Sequence, residues 1–234
     1  MTAPLVTLHV WRVPRRRIGH ALGRLAVDRR RLRATPGLTF GRLLGTGTGT
    51  GFGPGDTDVT RYAALAVWAD PAAAARFDAG PVGTAWHRLA VGHARLELTP
   101  LSSRGRWSGA EPFGRAGADR RRPDGPVLAL TRARLRLGAA VRFWRAVPPV
   151  AAALRTAPGL LARFGIGEAP IGWQGTVSVW RGATDLTAFA YRRPEHRAVV
   201  DRTPVARWYA EDLFARFGVR DVVGDRAVLG WREE

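Results

Sequence analysis

The chain has 234 residues, 46% of them hydrophobic, which is enough to bury a core and excludes a wholly disordered chain. It has no cysteine, which removes disulfides, thiolate nucleophiles, iron–sulfur clusters and Cys-based zinc sites. Its net charge of +18 is carried by arginine without lysine, and neither zinc-finger spacing nor an RNP-type aromatic strand accompanies it, so a nucleic-acid partner is not expected.

Val6 to Val13 alternates as a strand, with Val6, Leu8 and Val10 on one side and Thr7, His9 and Trp11 on the other. Arg15 to Arg33 reads as a basic helix with Ile18, Leu22, Leu25 and Leu32 inward, stopped by Thr35-Pro36-Gly37. Leu38 to Leu44 is a second strand, Gly45 to Gly55 an irregular Gly-rich run, and Tyr62 to Trp68 a third strand. Asp70-Pro71 supplies a cap and an N1 proline for a helix through Phe77, which breaks at Gly80-Pro81 and resumes to Leu89. Ala94 to Leu98 is a fourth strand, and Ser102 to Asp124 has the composition of a connector.

A second series follows. Val127 to Leu137 is a strand, and Ala139 to Leu154 is helical with an interruption at Pro148-Pro149. Leu160 to Ile166 and Thr176 to Trp180 are strands. Thr184 to Ala190, Pro194 to Arg202 and Pro204 to Phe217 read as helices, and Arg226 to Trp231 as a closing strand. Pro36-Gly37-Leu38 recurs as Pro158-Gly159-Leu160, and the spacing from Trp68 to Phe77 recurs from Trp180 to Phe189. The expected fold is therefore α+β: two tandem ferredoxin-like βαββαβ units over 1–101 and 125–234, joined by a connector over 102–124. Two such sheets pack face to face or curl into one barrel with helices outside.

No run reaches the ~18 apolar residues of a membrane-spanning helix. Arg15, Arg16 and Arg17 follow the first apolar stretch rather than precede it, so no signal peptide is expected. The expected location is cytoplasmic, with a basic surface suited to peripheral contact with anionic lipid.

His196 is set apart among the five histidines. Pro194 places it in the first turn of a helix, and Val199 and Val200 at i+3 and i+4 put it on an apolar face. A neutral imidazole there suits a haem iron, but spacing alone favours a partly buried histidine bonded to a carbonyl. The Gly45 to Gly55 run lacks the ending of a phosphate loop and is expected to line a pocket mouth. The serines lack a nucleophile elbow. Trp68 and Trp180 are expected in the core.

Three stretches together resemble the spheroidene monooxygenase family of carotenoid biosynthesis. They are Leu101-Ser102-Ser103-Arg104-Gly105-Arg106-Trp107-Ser108-Gly109 with Glu111-Pro112-Phe113; Gly165-Ile166-Gly167-Glu168 with Pro170 and Gln174; and Pro194-Glu195-His196 with the run from Trp208 to Phe217. The resemblance implies a dimeric α+β barrel that binds haem b and uses dioxygen and an external electron donor to oxidise an apolar substrate such as an acyclic carotenoid. It implies His196 as the iron ligand and Trp208 among the cofactor-binding positions. It places Arg104 and Arg106 either against haem propionates or as ties between the two halves. Arg163 and Gln174 are implied on the distal, oxygen-binding side, and Glu168 as an acceptor that orients His196.

The oligomeric state, with a homo-oligomer among the choices, stays open. So do three other readings: a haem enzyme acting on a nitrogen-bearing small molecule, a cofactor-free barrel oxygenase, and a basic nucleic-acid-binding protein.

Overall fold

The structure, a computed structural model, describes residues 4–49, 54–114, 124–136, 152, 154–168, 173–192 and 209–232. Its first half runs β1 (Leu5–Arg12), α1 (Ile18–Arg33), β2 (Leu38–Gly47), β3 (Thr57–Trp68), α2 (Pro71–Phe77), α3 (Pro81–Leu89) and β4 (Gly92–Gly105). Its second runs β5 (Val127–Leu135), β6 (Leu160–Gly167), β7 (Trp173–Trp180), α4 (Ala183–Arg192) and β8 (Tyr209–Gly224).

The eight strands close into an antiparallel barrel in the order β1-β3-β2-β6-β7-β5-β8-β4. Each half contributes a sheet of the same order, β4-β1-β3-β2 and β8-β5-β7-β6, which is the ferredoxin-like arrangement twice over. Closure leaves neither sheet with an open edge. One seam, β4 with β8, is long. The other is short and made where Gly45-Thr46-Gly47 meets Gly165-Ile166-Gly167.

Strand alternation divides the buried residues into an interior and two outer layers. Val6, Leu8, Val10, Leu44, Leu65, Leu128, Phe164, Val177 and Phe217 fill the barrel. Thr7, His9 and Trp11 point the other way, under α1 to α3, and are equally buried. Trp68 and Trp180 are core residues of the two outer layers, as expected.

The repeated Pro-Gly-Leu has a physical cause. Gly37 and Gly159 adopt φ of +77° and +72°, and a Cβ on either would lie 2.4 Å from the start of the next helix, at Ala73 and Asp185 respectively. Only glycine tolerates both the left-handed turn and that approach. Asp70 caps α2 by accepting the Ala73 amide at 2.8 Å, with Pro71 at N1.

Several expectations need correction. Tyr209–Gly224 is a strand, not the C-terminal part of a helix over 204–217. Leu213, Ala215 and Phe217 recur with period two and face the barrel core, and pairing with β4 on one side and β5 on the other overrides the helical spacing. Arg226–Leu229 is a 3-10 turn rather than a strand, capped by Asp225 and ended by Gly230 at φ 68°. It drives Val228 and Leu229 into the barrel. Leu22 does not face inward but is 51% exposed; Ala21, Asp28 and Leu32 form the buried stripe of α1. β2 continues to Gly47 and β4 to Gly105, so the Gly-rich run and the connector both begin as strand. The expected helix over 194–202 and most of that over 139–154 lie outside the described residues.

Candidate active site

The end of the barrel near β5 and β8 is closed by a chain of charges. Arg132 sits on the inward face of β5 with a side chain 2% exposed. Its Nη2 donates to Glu168 Oε2 at 3.1 Å and its Nη1 to Glu211 Oε1. Glu168 Oε1 accepts from Arg42 Nε at 2.9 Å. Glu211 also accepts the backbone amides of Ser108, at 2.9 Å, and Gly109, at 2.8 Å. Burial works to raise the Glu211 pKa, but the Gly109 and Ser108 amides and Arg132 outweigh it and hold the carboxyl below its ordinary value.

This chain explains the Arg-Gly-Arg-Trp-Ser-Gly string. Glu211 grips the turn at Ser108-Gly109, and the turn lowers Trp107 into the barrel mouth beneath the Arg132 guanidinium, 5.6 Å from the ring centroid. Phe113 follows it inside and meets Phe217 edge-on at 4.9 Å. Gly105, at φ +84°, lets the chain pass Asp212, whose carbonyl oxygen would lie 2.3 Å from a Cβ there. The barrel interior is thereby packed with side chains, leaving the outer faces of the two sheets as the places for a ligand.

Those faces differ. The pairs Leu5–Trp68 on one sheet and Val127–Trp180 on the other put the two units in register. In that register Thr7, His9 and Trp11 of β1 correspond to Ala129, Thr131 and Ala133 of β5. Tyr62 of β3 corresponds to Gln174 of β7. The first outer layer is sealed by aromatics: Trp11 stacks on Trp86 at 5.4 Å and Tyr62 lies 5.2 Å from Trp86. In the second, Trp180 and Phe189 pack at 5.2 Å with Leu186 and Leu160 at one end of the sheet. Among the described residues, β5 places Thr131 and Ala133 at the other end.

The sequence-derived site residues fall into three groups. Arg104, Arg163 and Gln174 occupy outer-face register positions of the second sheet and its β4 neighbour. Arg104 pairs in register with Phe214, Arg163 with Ser178, and Gln174 with Ala133. The Arg104 guanidinium lies over the Phe214 ring at 4.5 Å. Arg163 donates to the Gly49 carbonyl, and burial, then Arg232 and Arg155, lowers its pKa. That arginine cluster suits a carboxylate. Glu168 instead faces the interior charge chain, and both its oxygens are engaged there. Arg106 is 63% exposed and pairs with Glu111 at 3.5 Å. His196 and Trp208 lie outside the described residues.

Arg132, Glu211 and Arg42 form this charge chain with Glu168, and sequence reasoning missed them. A signal existed for Arg132: alternation from Leu128 and Leu130 puts it on the apolar face of its strand. Glu211 was hidden by the helical reading of its segment.

No family model matches the chain. It is 34% identical to the spheroidene monooxygenase of Rhodobacter capsulatus over 197 residues, which cover 84% of this chain and 81% of that protein. It is 30% identical to that of Cereibacter sphaeroides, covering 87% of this chain and 62% of that protein. For that of Rubrivivax gelatinosus the identity is 33%, covering 78% and 69%. Among solved structures, an aldoxime dehydratase shares the fold with a TM-score of 0.59 at 13% identity, covering 95% of this chain and 83% of that one. A second, crystallised with butyraldoxime, gives 0.56 at 11% identity, covering 94% and 80%. Identity of 33–34% over most of this chain and more than two thirds of two of these relatives leads to one assignment: the chain belongs to the spheroidene monooxygenase family.

Proposed function

We propose that the chain is a haem-dependent monooxygenase that oxidises an apolar substrate, such as an acyclic carotenoid, with dioxygen and an external electron donor. The observation that carries this reading is the exchange, in register, of Trp11 and Tyr62 for Ala133 and Gln174. Two large rings of the first outer layer thus have small or polar counterparts at the same register positions of the second sheet. Haem b, when bound, supplies the dioxygen-binding and oxidising chemistry.

The chain's own residues do the rest. Thr131, Ala133 and Thr176 offer a face too small-chained to fill the layer alone. His196 is the proposed iron ligand. Arg163 with Arg155 and Arg232 on one side, and Arg104 on the other, are the cations available to propionates, and Arg163 is the better placed because it is partly buried. The interior charge chain holds Trp107 in the barrel mouth and so keeps water out of the sheet's other face.

Acyclic carotenoids partition into lipid, and one face of α1 is suited to a membrane surface. Arg29, Arg30 and Arg33 are exposed on it, with Leu22 at 51% and Val27 at 53%, and Arg15 and Arg16 are exposed in the 3-10 turn that precedes it. Cations around protruding apolar side chains favour an anionic bilayer.

The test is turnover. Haem-supplemented protein, a reductant and an acyclic carotenoid under labelled dioxygen are expected to give a product carrying the label. Product that forms equally well without dioxygen would overturn the reading, as would the absence of product from haem-loaded protein.

A further inference from the structure

The first unit's outer layer contains a second cluster that the proposed oxidation does not use. His9, on β1, is 0% exposed. Asp78 reaches it from the connection between α2 and α3, and His93 from β4, one register step away because Trp11 pairs with His93 and His9 with Arg95. The ligand atoms of His9, Asp78 and His93 all lie within 4.8 Å of one another. His9 Nδ1 is 3.3 Å from Asp78 Oδ1 but makes no hydrogen bond with it, and His9 Nε2 and His93 Nε2 are also buried without a hydrogen-bond partner.

Three orphaned ring nitrogens in one buried cluster are costly, since each has lost water without gaining a donor or acceptor. Arg95 does not relieve them. Its Nη1 takes Asp78 Oδ2 at 2.6 Å and its Nη2 takes Glu97 Oε1 at 3.0 Å, so its charge is balanced and Oδ1 is left facing the imidazoles. Burial keeps both rings neutral, which is the form that ligates metal.

We propose that His9, Asp78 and His93 bind a divalent first-row transition metal, zinc being the probe of choice. Metal bonds of about 2.0–2.1 Å at tetrahedral angles separate ligand atoms by about 3.3 Å. The His9 to Asp78 edge already has that length, at 3.3 Å. Two imidazoles and one carboxylate exclude the all-oxygen preference of magnesium and calcium. Water completes the fourth position on the solvent side, where His87 lies with its Nε2 3.1 Å from Asp78 Oδ1. The ion would clamp the α2–α3 connection to β1 and β4, on the unit opposite the proposed haem face.

The test uses chelator-treated full-length protein titrated with zinc by calorimetry, with bound zinc counted by elemental analysis after dialysis. One zinc per chain is expected, together with a rise in melting temperature on zinc addition. His93→Ala and Asp78→Asn, checked for folding by circular dichroism, are expected to weaken binding about a hundredfold. His20→Ala, which alters an exposed histidine on α1, is expected to bind as the unaltered chain does. Failure of the unaltered protein to retain zinc would overturn the site, and so would affinity unchanged in both ligand variants. The unaltered protein's zinc count decides the matter where a variant does not fold.

Discussion

Arg132 and Glu211 face each other across the β5–β8 pair, and through Glu211 the guanidinium is tied to the Ser108-Gly109 turn that carries Trp107. A strand, a turn and an indole ring are thus held by one carboxylate.

Glu211→Ala would take one carboxylate from the buried Arg132 and release the turn. It is expected to cost about 3 kcal/mol, the scale for breaking a buried ion pair, read by urea unfolding. Arg106→Ala, which removes an exposed partner of Glu111, is expected to cost under about 1 kcal/mol. Because the folded pKa of Glu211 is depressed, its contribution is present above the ordinary carboxyl value of 4.5 and is lost as the pH falls through the folded value. Equal losses for the two variants would contradict this ranking.

Metal-free protein is expected to lose stability as the pH falls below 6.5. Burial lowers the His9 pKa from 6.5 to about 3 and that of His93 to about 4, so over this range the unfolded chain takes up protons that the folded chain refuses. His9 and His93 each add to this loss, because each is protonated in the unfolded chain and neutral in the folded one over that range. The groups facing His9 are Asp78, His87, His93 and Arg95, with Glu97 beyond Arg95. Chemical denaturation at a series of pH values, repeated on His9→Leu, should show a shallower slope in the variant. An unchanged slope would rule out His9 as its source.

Much of the fold was legible. Pro36-Gly37-Leu38 and Pro158-Gly159-Leu160 announced the duplication because each marks a left-handed turn against a helix start. The alternation of β1 was legible because its two faces meet different layers. Tyr209 to Phe217 misled because Tyr209, Leu213 and Phe217 also satisfy a helical spacing, and only pairing with β4 and β5 decides between the two periods. The His9, Asp78 and His93 cluster was invisible for a different reason. Its members are brought together by the β1–β4 register and the α2–α3 connection, and none of them forms a local motif.

Ala133→Trp restores on β5 the side chain that β1 carries at the corresponding position. It is expected to leave the barrel folded and to lower haem uptake at least about tenfold, measured as Soret absorbance per chain after haem supplementation. Uptake equal to that of the unaltered protein would move the proposed site off this face.

Arg15, Arg16 and Arg30 changed together to Gln should weaken binding to vesicles rich in anionic lipid about a hundredfold, at roughly 1 kcal/mol for each charge near the surface. Binding to neutral vesicles should hardly change. Co-sedimentation measures both, and an equal effect on the two kinds of vesicle would argue against an electrostatic contact through α1.

The absorbance spectrum of purified, haem-supplemented protein, compared with that of His196→Ala, tests the proposed function most directly. A Soret band with one haem per chain is expected, lost or shifted in position in the variant while circular dichroism stays the same. A colourless unaltered protein, or a variant spectrum identical to it, would contradict iron ligation by residue 196.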